Sequence, residues 1–565
     1  MSNNLFNPIE SAKSQVKEVV LNALGRLTAE DKISAELLPA FTVEIPNDIS
    51  HGDFSCNAAL VSAKALKQNP RAIAQMIVDE AVLDGTVFDK IELAGPGFLN
   101  FFVGKSWFAE TVASVLDLKE NYGKTDLGGN KRILVEFVSA NPTGPMHIGN
   151  ARGGALGDCL ASLLQYAGYY VEREFYVNDA GNQVNKFGLS LDIRYQQHFG
   201  ADIEMPEDSY HGEDIIAHAE KFAEIYGDKY MHTSEEERRK ALVDYALPLN
   251  IKGLEEDLLK YRIKYDNWFR ESSLHNSGRV NEIVQMLKDR GCTYEKEGAI
   301  WFKSSEYGDD QDRVLVRANG VPTYFVPDIA YHYDKLVTRN FDMAIDILGA
   351  DHHGYIPRMR AALTALGVDA NRLNALIMQM VRLVRDGETI KLSKRSGKAI
   401  TLTTLLDEVP IDAARFFFNL RDANTHLEFD LGLAIEESSK NPVFYVQYAH
   451  ARICRIIEKL ASEGIALGDV PANKLVYTEP AEIELIRHIA TLPTEINEAA
   501  KEYNPSRITR YVLELATRFH KFYDSCKIMG EEEAVLRSRL QLCLAARTVI
   551  KNMLDLLKVE APEKM

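Results

Sequence analysis

Between Arg132 and Gly168 the spacing of apolar and polar positions changes period. Ile133-Leu134-Val135-Glu136-Phe137-Val138 is a short apolar run rich in β-branched residues, the pattern of a buried strand. Turn formers follow at Ser139, Asn141, Pro142, Gly144 and Pro145; the two prolines forbid regular pairing and each restricts the residue before it. Beyond His147 the period lengthens. Ala155, Leu156, Cys159, Leu160, Leu163 and Leu164 share one helical face, and Gly168 marks a C-terminal stop. The predicted unit is strand, tight loop, helix. It turns backbone N–H groups and the positive helix end toward the carboxyl edge of a sheet, where phosphate binds. Gly149, Gly153 and Gly154 would let a nucleotide approach the backbone, although a plain βα unit with a glycine-rich turn has the same pattern.

The same reading carries along the chain. Residues 9–27 have helical periodicity, 47–54 form a polar loop, 58–66 a second helix, and 91–101 a strand, turn and strand around Gly95-Pro96-Gly97. Residues 168–177 predict the next core strand, followed by a turn at 178–183, so that two parallel strands joined by a helix open both loops at one sheet edge. Residues 190–300 are irregular and charged, a helical insertion in which 235–240 is a solvated helix face. The core resumes at 312–317, with further strands at 341–348 and 375–384. From Thr401 the chain is nearly all helix, with segments at 442–460, 480–502, 505–526 and 535–557. Pro442, Pro480 and Pro505 suit first helical positions, and Pro493 should kink or break the second segment. The expected architecture is α/β: a Rossmann-like domain over 111–405 with an insertion at about 190–300, an N-terminal α+β domain over 1–110, a stem over 406–440 and an all-α bundle over 441–565.

Composition narrows this picture. A chain of 565 residues holds several domains. No apolar run reaches membrane-span length, the N-terminus lacks a signal-peptide pattern, and the six cysteines form no C-x-x-C pair. These features predict a cytoplasmic protein without a zinc ribbon or disulfide framework. The net charge of −17 opposes broad non-specific nucleic-acid binding, yet residues 441–565 carry 17 basic and 17 acidic side chains, so the excess lies entirely in the first 440 residues. A neutral helical tail on an acidic body leaves room for local basic faces.

Two further stretches carry candidate chemistry. Tyr324 and Asp328 are four residues apart and share a face if the segment is helical; a carboxylate beside an aromatic ring suits a planar cation. The loop Lys391-Leu392-Ser393-Lys394-Arg395-Ser396-Gly397-Lys398 places two lysines three apart, able to neutralise charge on a departing pyrophosphate. Asp351-His352-His353 suggests a metal at first sight, but no third ligand appears at zinc spacing.

Pro145-Met146-His147-Ile148-Gly149-Asn150 resembles the first signature of class I aminoacyl-tRNA synthetases, with Asn150 where a second histidine usually stands. Lys391-Leu392-Ser393-Lys394-Arg395 resembles the second. The longer string from Val135 through Gly153 is similar to the arginyl-tRNA synthetase family, bacterial type, as is the Gly-Pro-Gly-Phe turn at 95–98. The resemblance implies an arginine–tRNA ligase that uses ATP with Mg²⁺ as substrate complex, binds no protein-held zinc, and works as a monomer on tRNA(Arg). It implies catalytic roles for His147, Lys391 and Lys394. It places ATP against Pro142, Thr143, Gly144, Pro145, Met146, His147, Ile148, Gly149, Asn150 and Ala151, with Ser393. It gives arginine to Ser139, Asn141, Tyr324, Asp328 and Glu271, assigns a tRNA-corner contact to the N-terminal domain, and makes the bundle an anticodon-binding domain. There Arg452, Arg455, Arg507, Arg510 and Arg547 are candidates for RNA contacts, and Tyr445, Tyr448 and Tyr511 for base stacking or core packing. Family members commonly need bound tRNA for the first step. The rivals are a catalytically silent tRNA-binding relative and a nucleotidyltransferase with a small-molecule acceptor.

Overall fold

The structure is a computed structural model and describes residues 5–30, 32–33, 39–352, 354–390, 400–465, 468 and 470–565. Its centre is a five-stranded sheet in the spatial order Leu373–Met378, Met343–Gly349, Arg132–Glu136, Tyr170–Val177, Asn267–Arg270. Every neighbouring pair is parallel. In chain order this is 3-2-1-4-5, the order of a doubly wound fold. Its switch point lies between Arg132–Glu136 and Met343–Gly349, so a crevice opens beyond their carboxyl ends. The apolar run at 133–135 is fully buried, as a strand covered on both faces requires.

The helix Ile148–Tyr166 packs closely on this sheet. A Cβ on Gly157 would lie 2.2 Å from the Phe137 ring, and one on Gly154 would lie 2.7 Å from Ile263 Cδ1. Gly154, expected to admit a nucleotide, instead admits a neighbouring side chain.

Two expectations about the core change. Residues 190–300 are not a purely helical insertion, because Asn267–Arg270 is the edge strand of the central sheet. The three helices Asn182–His198, Glu213–Tyr226 and Glu235–Lys260 precede it. After it come two short helices and a separate antiparallel sheet of Thr293–Lys296, Ala299–Phe302 and Arg313–Val316, which is where 312–317 belongs. The second change is that 375–384 is not one strand. Leu373–Met378 ends at Gln379, whose carbonyl accepts from Arg152 Nη1 at 2.6 Å and whose N–H donates to Ala423. Val381–Arg385 then joins a second sheet with Glu388–Thr389 and Leu427–Asp430. The stem region thus returns a strand to the body.

The N-terminal domain is a four-stranded antiparallel sheet with the helices Pro8–Ala29, Ala58–Leu66 and Pro70–Glu80. Its Gly95–Gly97 turn is structural: a Cβ at Gly97 would press on the Pro70 backbone at 3.0 Å, and Arg71 donates to the Gly95 carbonyl at 2.8 Å. Residue 110 falls inside the helix Lys105–Leu118, which packs against the C-terminal helices. The bundle comprises Pro442–Ser462, Pro480–Ala490, Leu492–Lys501, Ser506–Ser525 and Glu533–Leu557. The break before Pro493 occurs as expected; Pro505 caps its helix rather than opening it. Bundle and body interlock through buried polar bonds. Arg415 is fully buried and donates to the carbonyls of Leu557 at 3.0 Å and Tyr261 at 2.9 Å and to Asp158 at 2.6 Å. Asn552 donates to the Lys119 carbonyl at 2.8 Å, and Tyr122 to that of Ile489 at 3.0 Å.

Candidate active site

The loop after Arg132–Glu136 holds an unusual backbone. Val138 and Ser139 have φ of 68° and 40°, left-handed values that a β-branched residue rarely adopts. The surroundings hold them there. Ser139 Oγ donates to Glu136 Oε1 at 2.8 Å and accepts from the Tyr176 N–H at 3.1 Å, while Tyr265 donates to the Phe137 carbonyl at 3.0 Å. The Ser139 hydroxyl therefore ties the loop to two strands.

Further along, Thr143 and Met146 are buried, and the Pro142 carbonyl accepts from Asn250 at 3.0 Å. Asn141 and His147 are exposed at the crevice. His147 is the N-cap of the helix Ile148–Tyr166, and its backbone N–H donates to Asn150 Oδ1 at 3.1 Å. Here Asn150 closes the helix start, which accounts for an uncharged amide at that position. Gly149 sits under the His147 ring, 3.2 Å from where a Cβ would stand.

Lys391, Ser393 and Lys394 lie outside the described residues. The segment just beyond them is in place: Leu402 N–H donates to the Met146 carbonyl at 2.8 Å and Ile148 N–H to that of Ile400 at 3.3 Å. The chain leaving the second signature loop thus pairs directly with the first signature.

A cavity of about 690 Å³ is lined in part by Gly181, Glu271, His275, Arg317 and Tyr324. Tyr324 caps the helix Phe325–Tyr333, and Asp328 N–H bonds to the Tyr324 carbonyl at 3.4 Å, so the two residues share a face as their spacing predicts. Burial, aided by Glu271 and Glu136 and opposed by His332 and Tyr355, pushes the Asp328 carboxyl up to about 7. Burial likewise raises Glu271, against hydrogen bonding from Tyr176 and His275. Among the described residues Asp328 has no lysine or arginine partner, and Glu271 has only His275, at 3.4 Å. Two crowded carboxyl groups, Glu271 lining the cavity and Asp328 buried close by, are a place where a cation would be favoured.

Next to Asp328 lies a buried charge cluster that the sequence pattern does not single out. Lys335 Nζ lies 2.6 Å from Glu136 Oε2, 2.9 Å from Asp346 Oδ1 and 4.1 Å from the Tyr331 ring centroid. His332 sits 2.7 Å from Asp346 and 2.7 Å from the Asp328 carbonyl. Burial opposes charge on Asp346, but Lys335 and His332 outweigh it and hold the carboxyl well below the usual range. Lys335 stays charged for the mirror-image reason. Asp346, alone in an apolar strand run, was the one signal in the sequence.

Other candidates disperse. Asp351 and His352 stand 3.7 Å apart on an exposed turn, His353 lies outside the described residues, and no group of three or more potential metal ligands occurs among the described residues. In the bundle, Tyr511 is buried, stacked on His488 at 4.3 Å, which removes it from base stacking. Arg507 is held by Glu495 at 2.6 Å and Arg510 by Asp422 at 2.9 Å. Arg452 lies 3.9 Å from the Tyr523 ring, and Tyr448 remains partly exposed beside it.

The 3-2-1-4-5 parallel sheet, with the first signature after its first strand, goes with a match of residues 111–430 to the family described as tRNA synthetases class I (R), catalytic domain. Residues 446–565 match the DALR anticodon binding domain, and residues 14–103 the arginyl tRNA synthetase N terminal domain. The chain belongs to the arginyl-tRNA synthetase family. It is 51% identical to an arginine–tRNA ligase of Caldanaerobacter subterraneus over 99% of this chain and 100% of that one. It is also 51% identical to one of Ruminiclostridium cellulolyticum over 98% and 99%. An arginyl-tRNA synthetase structure from Thermus thermophilus shares the fold, with a TM-score of 0.74 at 21% identity, covering 98% of this chain and 100% of that one.

Proposed function

We infer that this chain is an arginine–tRNA ligase. It activates arginine with ATP to arginyl-adenylate and pyrophosphate, then transfers the arginyl group to the 3′ end of tRNA(Arg). The observation that supports arginine as the amino acid is the pair Asp328 and Glu271, two neighbouring carboxyl groups, the second lining the cavity, without a Lys or Arg ion-pair partner among the described residues. A guanidinium fits there as the missing counter-charge.

In the reaction the arginine carboxylate attacks the α-phosphate of ATP in line, and pyrophosphate leaves; no covalent enzyme intermediate is needed. ATP lies along residues 142–151 with Mg²⁺ as part of the substrate complex. His147 bonds the reacting phosphates, and Lys391 and Lys394 neutralise the leaving pyrophosphate. Asn141 and Asp328, with Tyr324 and Glu271, select arginine. The ribose hydroxyl of the tRNA terminus then displaces the adenylate.

The direct test is charging of total tRNA with each labelled amino acid by the parent chain and by His147→Ala and Lys394→Ala. Arginine-only charging, reduced about 10²-fold or more in both variants, is expected from the loss of transition-state contacts. A parent that binds tRNA but charges it with nothing would overturn the assignment.

A pH dependence follows from Asp328. Its carboxyl, pushed up to about 7 in the free protein, takes up a proton as pH falls through that value. The guanidinium needs the ionised form, so proton and arginine compete. Below pH 7, kcat/KM for arginine should fall about tenfold per unit, while kcat at saturating arginine changes little. A profile flat from pH 8 to pH 6 would contradict this role.

A further inference from the structure

Tyr176 is the penultimate residue of the strand Tyr170–Val177, at the carboxyl end of the sheet. Its ring is fixed. It packs at 4.6 Å against Tyr331 and at 6.1 Å, nearly parallel, on Phe269, and its backbone N–H is held by Ser139 Oγ at 3.1 Å. Yet its hydroxyl is buried with no well-formed hydrogen bond. Burial pushes the phenol up, and Glu271 and Asp328 push it further, which places the hydroxyl among the two carboxyl groups that lack a strong cation.

A phenol in this position stays neutral and has one proton to give and lone pairs to accept with. Its proton is directed at Glu271, and its lone pairs meet no donor, although buried polar groups are ordinarily satisfied. An unfilled acceptor between two carboxylates matches one kind of guest, a cation carrying several N–H bonds spread in a plane. An ammonium ion directs three short N–H bonds from a single point, whereas a guanidinium spreads five across a rigid fork.

We propose that Tyr176 is a specificity-determining residue of the arginine site: its hydroxyl accepts an N–H from the substrate guanidinium while donating its own proton to Glu271. The inference rests on reading the Asp328–Glu271 cavity as the arginine site. Substrate then completes a network that the free protein leaves open, and lysine, which cannot reach all three acceptors at once, is refused.

The test is Tyr176→Phe, which keeps the ring packing and removes only the hydroxyl, compared with Asp328→Asn. Both are assayed by arginine-dependent ATP–pyrophosphate exchange with tRNA(Arg) present, together with thermal unfolding of the ligand-free protein. For Tyr176→Phe the expected result is a KM for arginine raised about 10- to 30-fold, KM for ATP within twofold of the parent, and discrimination between arginine and lysine reduced by the same factor. The melting temperature should hold or rise, because a buried unpaired hydroxyl has been removed. A lower melting temperature with parallel increases in both KM values would show a merely structural tyrosine and overturn the proposal. An unchanged KM for arginine in Tyr176→Phe alongside a large increase in Asp328→Asn would overturn it while leaving the arginine site intact. Unchanged values in both variants would overturn the site and the proposal together.

Discussion

Asp328→Asn should lower kcat/KM for arginine by about 10²- to 10³-fold while leaving KM for ATP within about threefold of the parent. Two effects add. The substitution deletes the formal charge opposite the guanidinium, and it swaps an acceptor oxygen for an NH₂ group that faces the substrate's own donors. Breaking a desolvated charged pair by removing one partner costs about 3–5 kcal/mol, and the lower half of that interval corresponds to a loss of this size. The ligand-free protein should not suffer. Asp328 is crowded by Glu271 and Glu136 and raised by burial, so in the folded chain its ionised form is held at a disadvantage. The neutral amide relieves that, and the melting temperature is expected to stay level or rise. The break near pH 7 in the arginine profile should disappear with the carboxyl. Steady-state pyrophosphate exchange and differential scanning calorimetry measure the two halves. Loss of activity accompanied by a fall in melting temperature would mean that Asp328 supports the fold instead of the substrate.

Lys335→Met is the opposite case, a variant that fails by unfolding. Methionine keeps much of the apolar stem but removes the ammonium from fully buried surroundings, leaving Glu136 without its cation and Asp346 with only His332. An uncompensated buried carboxylate costs about 3–5 kcal/mol. At about 2–4 °C per kcal/mol for a domain of this size, the catalytic-domain transition should fall by about 6–20 °C. The pH dependence has a definite sign. In the parent, Asp346 is depressed, so its contribution is present above the unfolded carboxyl value and is lost only in strong acid. Lys335 is raised, so its contribution is complete below the unfolded lysine value and is lost only in strong base. Both contributions are intact at pH 7. In the variant the carboxyls protonate more readily, so the deficit should be greatest near pH 8 and shrink toward pH 5. Lys335→Met combined with Asp346→Asn should recover part of the loss, a coupling that thermal scans of the two single variants and the double variant would measure. Equal deficits at pH 8 and pH 5 would show that packing, not charge, had been removed.

These two residues also show what the amino-acid order reveals and what it hides. Asp328 was readable because a helical period brought it one turn from Tyr324, and a family motif supplied its partner. The first signature was readable for a similar reason, since strand, turn and helix follow one another over 132–166 with no long-range information. Lys335 and Asp346 were not. Their pairing joins the end of one helix to the middle of a strand, across a fold whose strand order no local pattern encodes. Tyr176 was read as an ordinary strand residue because an alternating strand does not disclose which face meets a cavity. Asn267–Arg270 was absorbed into a charged insertion, as four residues are too few to stand out by period. Ser139, expected at the substrate, is engaged by the loop's own left-handed backbone, which depends on Glu136 and Tyr176 from two strands.

Arg415 bears on how such a chain can be rearranged. Its guanidinium joins Asp158 of the signature helix to the carbonyl at the end of the last helix. Exchanging residues 441–565 for the bundle of a distant homologue is therefore not a cassette replacement. A donor bundle that ends one turn early would strand a buried cation in the middle of the catalytic body. A workable chimera must keep the acceptor at position 557 in register, or replace Arg415 and Asp158 together by apolar residues and re-pair Arg173, which also depends on Asp158. The recombination boundary is set by this three-residue lock, not by the linker that precedes the bundle.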